Sequence, residues 1–210
     1  MLREEVAGPL GVTDELFFAV PEEELPRLAK LEDAPFDPSM FEAPEGADGS
    51  EGQFPAEEDD HDGWVWAPPA CMPDAAFGNR ADLLTVDMPA GCTTSARAIA
   101  RMYAALMQDV NGVRLISADR LAEVTSVAMS GPDAIFGMPV RRGLGYDLDS
   151  VGGPFTSDTL FGFAGSGGTA AYADISTRTV LAVTKNRNSF GTYTSYQQIS
   201  EAVVGGLGQY

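Results

Sequence analysis

Acyl transfer needs a nucleophile, a base and an oxyanion site converging on one carbon, and the serines, lysines, tyrosines and histidine of this chain can be tested against that need. Ser166 stands in Ala-Gly-Ser-Gly-Gly and mimics a nucleophile elbow, but an elbow triad places its histidine after the serine, whereas the only histidine, His61, lies upstream. The glycines around Ser166 are therefore read as permitting tight strand packing. The only lysines are Lys30 and Lys185, and three residues before them stand Arg27 and Ala182, so no Ser-x-x-Lys helix turn exists. No tyrosine or serine is followed two residues later by asparagine. A second candidate chemistry is cation binding by residues 57–63 (EEDDHDG), where Glu58, Asp60, Asp62 and Gly63 echo the first half of a calcium loop. The twelfth position of such a loop, which requires a bidentate glutamate, is Pro69, so weak nonspecific cation binding is expected and no metal site. No cofactor is expected either.

The elements that must position these residues follow from patterning. At 210 residues, 44% hydrophobic and 9% aromatic, the chain has enough apolar content for a folded core. The net charge of -18 is unevenly placed: no Lys or Arg lies between Lys30 and Arg80, while acids run from Glu32 to Asp74. Such a surface repels phosphate backbones and anionic headgroups, which argues against nucleic acid or a membrane as partner. Cys71 and Cys92 form no CxxC or Cys/His cluster, and a disulfide between them is not expected. No signal peptide or membrane span is visible, so the chain as written is expected to stay in the cytoplasm.

Residues 1–31 read as a helical segment, with a first helix that stops at Gly8-Pro9 and a second that starts at Pro21 and runs through Leu28 to Leu31. Residues 32–79 read as an acidic, Pro/Gly-rich loop. Phe54, Trp64, Trp66 and Phe77 in that loop either pin it to the body, the favoured reading, or form a recognition surface for an apolar acyl group. Residues 80–130 read as a helical region in which Thr93 or Thr94 caps the strongest helix, with Ala96, Ile99, Ala100, Tyr103, Leu106 and Met107 on one face; Asn111-Gly112 then turns the chain, and Ser117 caps a shorter helix. Residues 131–210 read as an antiparallel sheet with β-type segments at 144–148, 160–163, 169–173 and 179–184, the last two forming a hairpin. Arg141 and Arg142, just before the first of these, are either a surface pair or an anion contact. A final helix over 195–207 places Ile199, Val203 and Leu207 against one sheet face. The fold class is α+β, an antiparallel sheet with covering helices beside a helical region.

Taken in order, GPLGV at 8–12, TTSARAIARMYAAL at 93–106, NGVRLIS at 111–117, GLGYDL at 143–148, FGFAGSGGT at 161–169 and the hairpin ending in Lys185-Asn186-Arg187 resemble the C-terminal part of the β-lactamase-related serine hydrolases. That group contains class C β-lactamases, DD-peptidases and related esterases. The resemblance implies an incomplete β-lactamase/transpeptidase-like fold and ester or amide hydrolysis through an acyl-serine. It also implies a third active-site motif of a basic or polar residue, a small residue and glycine on an edge strand. Phe163, Ala164 and Gly165 fall there: Gly165 allows close approach of a substrate backbone, the Ser166 N–H stands at an oxyanion-donor position, and Phe163 cannot hold a substrate carboxylate. Phe163, Gly165 and Ser166 are thus the expected substrate-binding residues, with no catalytic side chain in this chain. In the family the serine-lysine pair and the tyrosine motif lie upstream of the segment that residues 1–12 resemble. The expectation is an N-terminally truncated domain, inactive alone, that takes a small ester or amide when completed by a partner chain covering the open sheet edge. The alternative is a non-catalytic binding or remnant module of the same fold.

Overall fold

The computed structural model describes residues 1–35, 73–87, 92–133 and 139–207. Residues 57–63, His61, Cys71, and Phe54, Trp64 and Trp66 of the acidic stretch lie outside these.

The chain opens with a π-helical segment, Leu2–Ala7, that passes directly into a short helix, α1 (Gly8–Leu10). The helix therefore does not stop at Gly8-Pro9. Pro9 sits in the first turn of α1, where its missing N–H costs little, and the Gly8 N–H reaches back to the Arg3 carbonyl. The stop comes at Gly11, whose φ of 65° lets its N–H reach the Gly8 carbonyl at 3.0 Å while the Val12 N–H reaches Ala7 at 2.9 Å. This is a Schellman cap, and it buries Ala7, Leu10 and Val12 together. After β1 (Leu16–Phe17), the second helix is only a 3-10 segment, Glu22–Arg27, rather than a helix reaching Leu31. Pro26 lies inside it and cannot donate, and the chain turns extended at Leu28 before β2 (Glu32–Asp33).

Two short helices follow, α2 (Ala75–Gly78), capped by the Asp74 carboxylate accepting from the Phe77 N–H at 2.7 Å, and α3 (Ala81–Leu84). Thr93 and Thr94 do not cap the next helix. They form β3 (Thr93–Thr94), antiparallel to β1, and the cap passes to Ser95, which accepts from the Ala98 N–H at 3.1 Å. The helix itself, α4 (Ala96–Met107), is buried on two sides: Ala98 and Ala105 pack against the N-terminal segment, Tyr103, Leu106 and Met107 against the sheet. Asn111 (φ 55°) and Gly112 (φ 85°) make the expected turn, bridging Val110 to Val113. Ser117 caps α5 (Ala118–Val124) as its type and position require.

Ahead of the segments that the patterning indicates lie two further strands, β4 (Met129–Pro132) and β5 (Pro139–Arg142), which pair antiparallel. Residues 144–148 are not a strand. Gly145 at φ 88° folds them into a turn, and only Asp147 bridges to the sheet, exchanging backbone hydrogen bonds of 2.8 and 2.9 Å with Gly162. The sheet is β6 (Leu160–Ala164), β7 (Ala170–Asp174) and β8 (Thr179–Val183), antiparallel in that order, and β9 (Arg187–Asn188) pairs parallel with β2. The last element, α6, spans Thr194–Leu207.

The period of two sorts the sheet into two cores. Phe161, Ala171 and Ala173 face α4, where Phe161 meets Tyr103 and Tyr146 at ring separations of 5.8 and 5.2 Å. Leu160, Tyr172, Leu181 and Val183 face α6. There the packing residues are Tyr196 and Val203, with Ser200 also fully buried, while Ile199, expected at the interface, is 42% exposed.

Two positions carry this arrangement. Gly162 stands opposite Tyr172, and a Cβ on it would fall 2.2 Å from the Ala171 carbonyl oxygen and 2.7 Å from the Tyr172 Cα. At the hairpin, the Asp174 carboxylate, 3% exposed, accepts from the hydroxyls of Ser157 (2.7 Å), Thr159 (2.5 Å), Ser176 (3.0 Å) and Thr177 (2.7 Å). Burial pushes its pKa up, but the hydroxyl donors outweigh burial and hold it well below the ordinary 3.8.

Gly162→Ala is expected to cost about 3 kcal/mol in urea unfolding, because backbone rather than a movable side-chain tip occupies the space. Asp174→Ala is expected to cost about 2 kcal/mol at pH 7, since it strands four hydroxyl donors. A carboxylate with a depressed folded-state pKa stabilises above its unfolded pKa, so the gap to wild type should stay level down to about pH 4 and shrink as pH falls further.

Candidate functional site

The turn between β6 and β7 is a run of small residues that the backbone closes on itself. The Gly165 N–H donates to Thr169 at 2.8 Å and the Gly168 N–H to Gly165 at 2.9 Å, with Gly168 at φ 87°. The turn is also tied down from outside: the Ser166 and Gly167 carbonyls accept from the N–H groups of Gly191 and Ser189, each at 3.0 Å. The N–H groups of Ser166 and Gly167 meet no acceptor among the described residues. N–H groups without an internal acceptor, in a turn held by its own and neighbouring backbone, are chemically suited to a developing negative charge.

Phe163, Gly165 and Ser166 thus share one strand end and its turn. Phe163 lies in register with Ala171 on the α4 side, yet the residue is 54% exposed, and a Cβ on Gly165 would fall 3.0 Å from the Thr169 hydroxyl oxygen. None of the three lines the neighbouring cleft of about 1070 Å³, which starts one residue further along, at Gly167 and Thr169. Its apolar side comes from Leu28 and Leu31 of the N-terminal segment and from Phe77 and Leu84, its polar side from Thr94, Lys185 and Asn188. An apolar body with a few convergent polar groups is the usual composition of a small-molecule site.

Lys185, Thr94 and Asn188 are functional candidates that residue patterning does not single out, because their convergence depends on the β1–β3 and β2–β9 pairings. Asn188 is held by donating to the Asp33 carboxylate at 2.8 Å and to the Pro73 carbonyl at 3.2 Å, while Asp33 also accepts from the Ala75 N–H at 2.9 Å. This clamp ties β9, β2 and α2 into one wall. Burial, reinforced by the Arg187 charge, pulls the Lys185 ammonium pKa down. Phe77, one of the aromatic candidates, sits in this wall.

Arg141 and Arg142 are engaged with carboxylates. Arg141 pairs with Asp149 at 3.1 Å, and Arg142 with Asp133 at 2.9 Å and Asp147 at 3.0 Å, so an added anion there would meet three acids. Cys92 is a free, exposed thiol. Among the described residues no group of His, Cys, Asp or Glu is arranged to hold a metal ion, and no helix is long and apolar enough to cross a membrane.

The family model described as Beta-lactamase matches residues 1–203. No curated protein matches the chain. Among solved structures, a family VIII carboxylesterase superposes with a TM-score of 0.69 at 22% identity, covering 96% of this chain and 50% of that one. A penicillin-binding protein homolog from Caulobacter crescentus superposes at 0.66 with 22% identity, covering 97% and 51%. EstA from Arthrobacter nitroguajacolicus Rue61a superposes at 0.62 with 19% identity, covering 97% and 53%. At such identities the likeness is one of fold. This chain spans about half the length of each.

Asp33→Ala is expected to loosen the α2 wall of the cleft. Amide hydrogen exchange at Ala75 and Asn188 should accelerate, with a global loss of about 1 kcal/mol for the two hydrogen bonds that part.

Proposed function

From the premise that this chain belongs to the beta-lactamase family, we propose that it forms the strand-edge part of a serine hydrolase that cleaves esters or amides through an acyl-serine. The observation that carries this reading is the β6–β7 turn, with a side-chain-free Gly165 and an open Ser166 N–H at the position of the family's third motif. In this reading the substrate carbonyl lies along the strand end, and the Ser166 N–H polarises it as negative charge gathers on oxygen. The exposed Phe163 ring would meet an apolar acyl group where other members place a basic or polar residue. That favours neutral esters at this spot.

The nucleophile is proposed to come from outside these 210 residues, since they contain no Ser-x-x-Lys and no Tyr-x-Asn. A serine hydroxyl supplied there would attack the carbonyl, expel the alcohol or amine, and leave an acyl-serine for water to cleave. The chain by itself is therefore proposed to be inactive. The partner proposed is a polypeptide that lays a strand along β8, whose edge away from β7 pairs with no described strand. A second reading, a non-catalytic binding module, is favoured by an uncharged phenylalanine at the third-motif position beside a cleft with an apolar wall.

The test is incubation of the chain with p-nitrophenyl acetate and with a fluorophosphonate serine probe. The expected outcome is release of p-nitrophenol at the uncatalysed rate and no labelled serine. Stoichiometric labelling of Ser166, with a burst of product, would overturn the proposal that the nucleophile lies elsewhere. If a supplied Ser-x-x-Lys segment associates with the chain but restores no ester turnover, the binding-module reading takes its place.

A further inference from the structure

We propose that Lys185 makes the cleft a binding site for the carboxylate of a small amphipathic ligand, such as an N-acyl amino acid. The site is built where the end of β8 passes the β6–β7 turn. A Cβ placed on Gly168 would fall 2.5 Å from Lys185 Nζ and 2.7 Å from its Cε, so the lysine tail lies flat in the space that a side chain at 168 would fill. The Thr192 carbonyl oxygen approaches the same point at 2.5 Å. Gly168, with φ of 87°, is one of the few residue types that permit both the turn and the lysine.

Among the described residues the charge at this point meets no carboxylate. The chain carries 31 acids against 13 Lys and Arg, yet no carboxylate of the described residues lies within ion-pair distance of Lys185. Acids line the same cleft, but most have other duties: Glu15 accepts from Ser95 and pairs with Arg97, Glu24 pairs with Arg27, and Asp74 caps α2. Lys30 lines the cleft as well, and Arg187 stands near enough to act on the Lys185 ammonium. A partly desolvated ammonium with cationic neighbours gains from an anion more than an exposed one does.

The rest of the cleft defines the remainder of the ligand. Gly167, whose N–H meets no acceptor among the described residues, and Thr169 line the cleft on either side of Gly168, and Asn188 Oδ1 would lie 2.7 Å from a Cβ on Gly167, closing the polar end. Leu28, Leu31, Phe77 and Leu84 supply an apolar wall for an acyl chain. The cation that Phe163 does not supply on β6 is thus supplied from the end of β8.

This inference rests on the cleft assigned above, and its test reads binding without turnover, so its failure and that of the hydrolase reading are distinguishable. The chain is titrated with N-octanoylglycine and, separately, with its methyl ester while backbone amide resonances are followed. The expected result is that the acid shifts the amides of Gly167, Gly168 and Thr169 and that the ester binds at least about tenfold more weakly, the ratio that one charge-assisted hydrogen bond supports. Lys185→Met should weaken the acid by a similar factor without changing the overall amide dispersion, Lys185→Arg should retain binding, and Lys30→Met should change it less than Lys185→Met. Equal binding of acid and ester, undiminished binding by Lys185→Met, or shifts confined to residues away from the 165–169 turn would each overturn the proposal.

Discussion

The structure turns on the absence of a side chain at Gly162. Its N–H and carbonyl both bond to Asp147, which joins the loop after the β4–β5 hairpin to the sheet, while its bare Cα leaves room for the Tyr172 backbone and ring. Tyr172 in turn fills the α6-side core with Tyr196, and the neighbouring Phe161 fills the α4-side core with Tyr103 and Tyr146. One glycine therefore sets the height of the sheet between its two covering helices. Close packing makes this a stiff requirement, because a well-packed interior has no spare volume to absorb even a methyl group.

Polar constraints then fix the ends of the sheet. Asp174 gathers the 157–159 loop and the hairpin loop around one buried carboxylate, and the 165–169 turn is held by the 189–191 segment through main-chain bonds. The two ends behave differently. At Asp174 the donors are all consumed, which yields rigidity and no binding capacity. At the opposite end the N–H groups of Ser166 and Gly167 meet no acceptor among the described residues, and an ammonium is laid across the adjoining glycine. What this edge presents is backbone and one lysine, with little contribution from the residue types that acyl-transfer chemistry usually requires.

Much of this was legible in the residues. The β-type segments at 160–163, 169–173 and 179–184 match β6 to β8 to within a residue or two, because turn residues bound each of them and the hairpin loop is rich in local hydrogen-bonding groups. Asn111-Gly112 and Ser117 acted as their local chemistry demands. The errors fall where distant partners decide. Thr93 and Thr94 are good cap residues, but pairing with Leu16 and Phe17 draws them into a strand and hands the cap to Ser95. GLGYDL has the composition of a strand, yet Gly145 bends it so that only Asp147 reaches the sheet. Ile199 has helical spacing with Val203, yet Tyr196 and Ser200 occupy the interface.

The sequence by itself determined the α+β class, the β7–β8 hairpin, the small-residue run at 165–169 and the lack of a Ser-x-x-Lys or Tyr-x-Asn pair, since all of these depend on neighbours within a few residues. Only the tertiary structure decided where the concavity lies and what faces it. Phe163, Gly165 and Ser166 sit beside the cleft and not in its wall, while Lys185 and Asn188 enter that wall. The physical reason is that these two positions are set by long-range strand pairing and by side-chain room above Gly167 and Gly168. No local propensity encodes either of those.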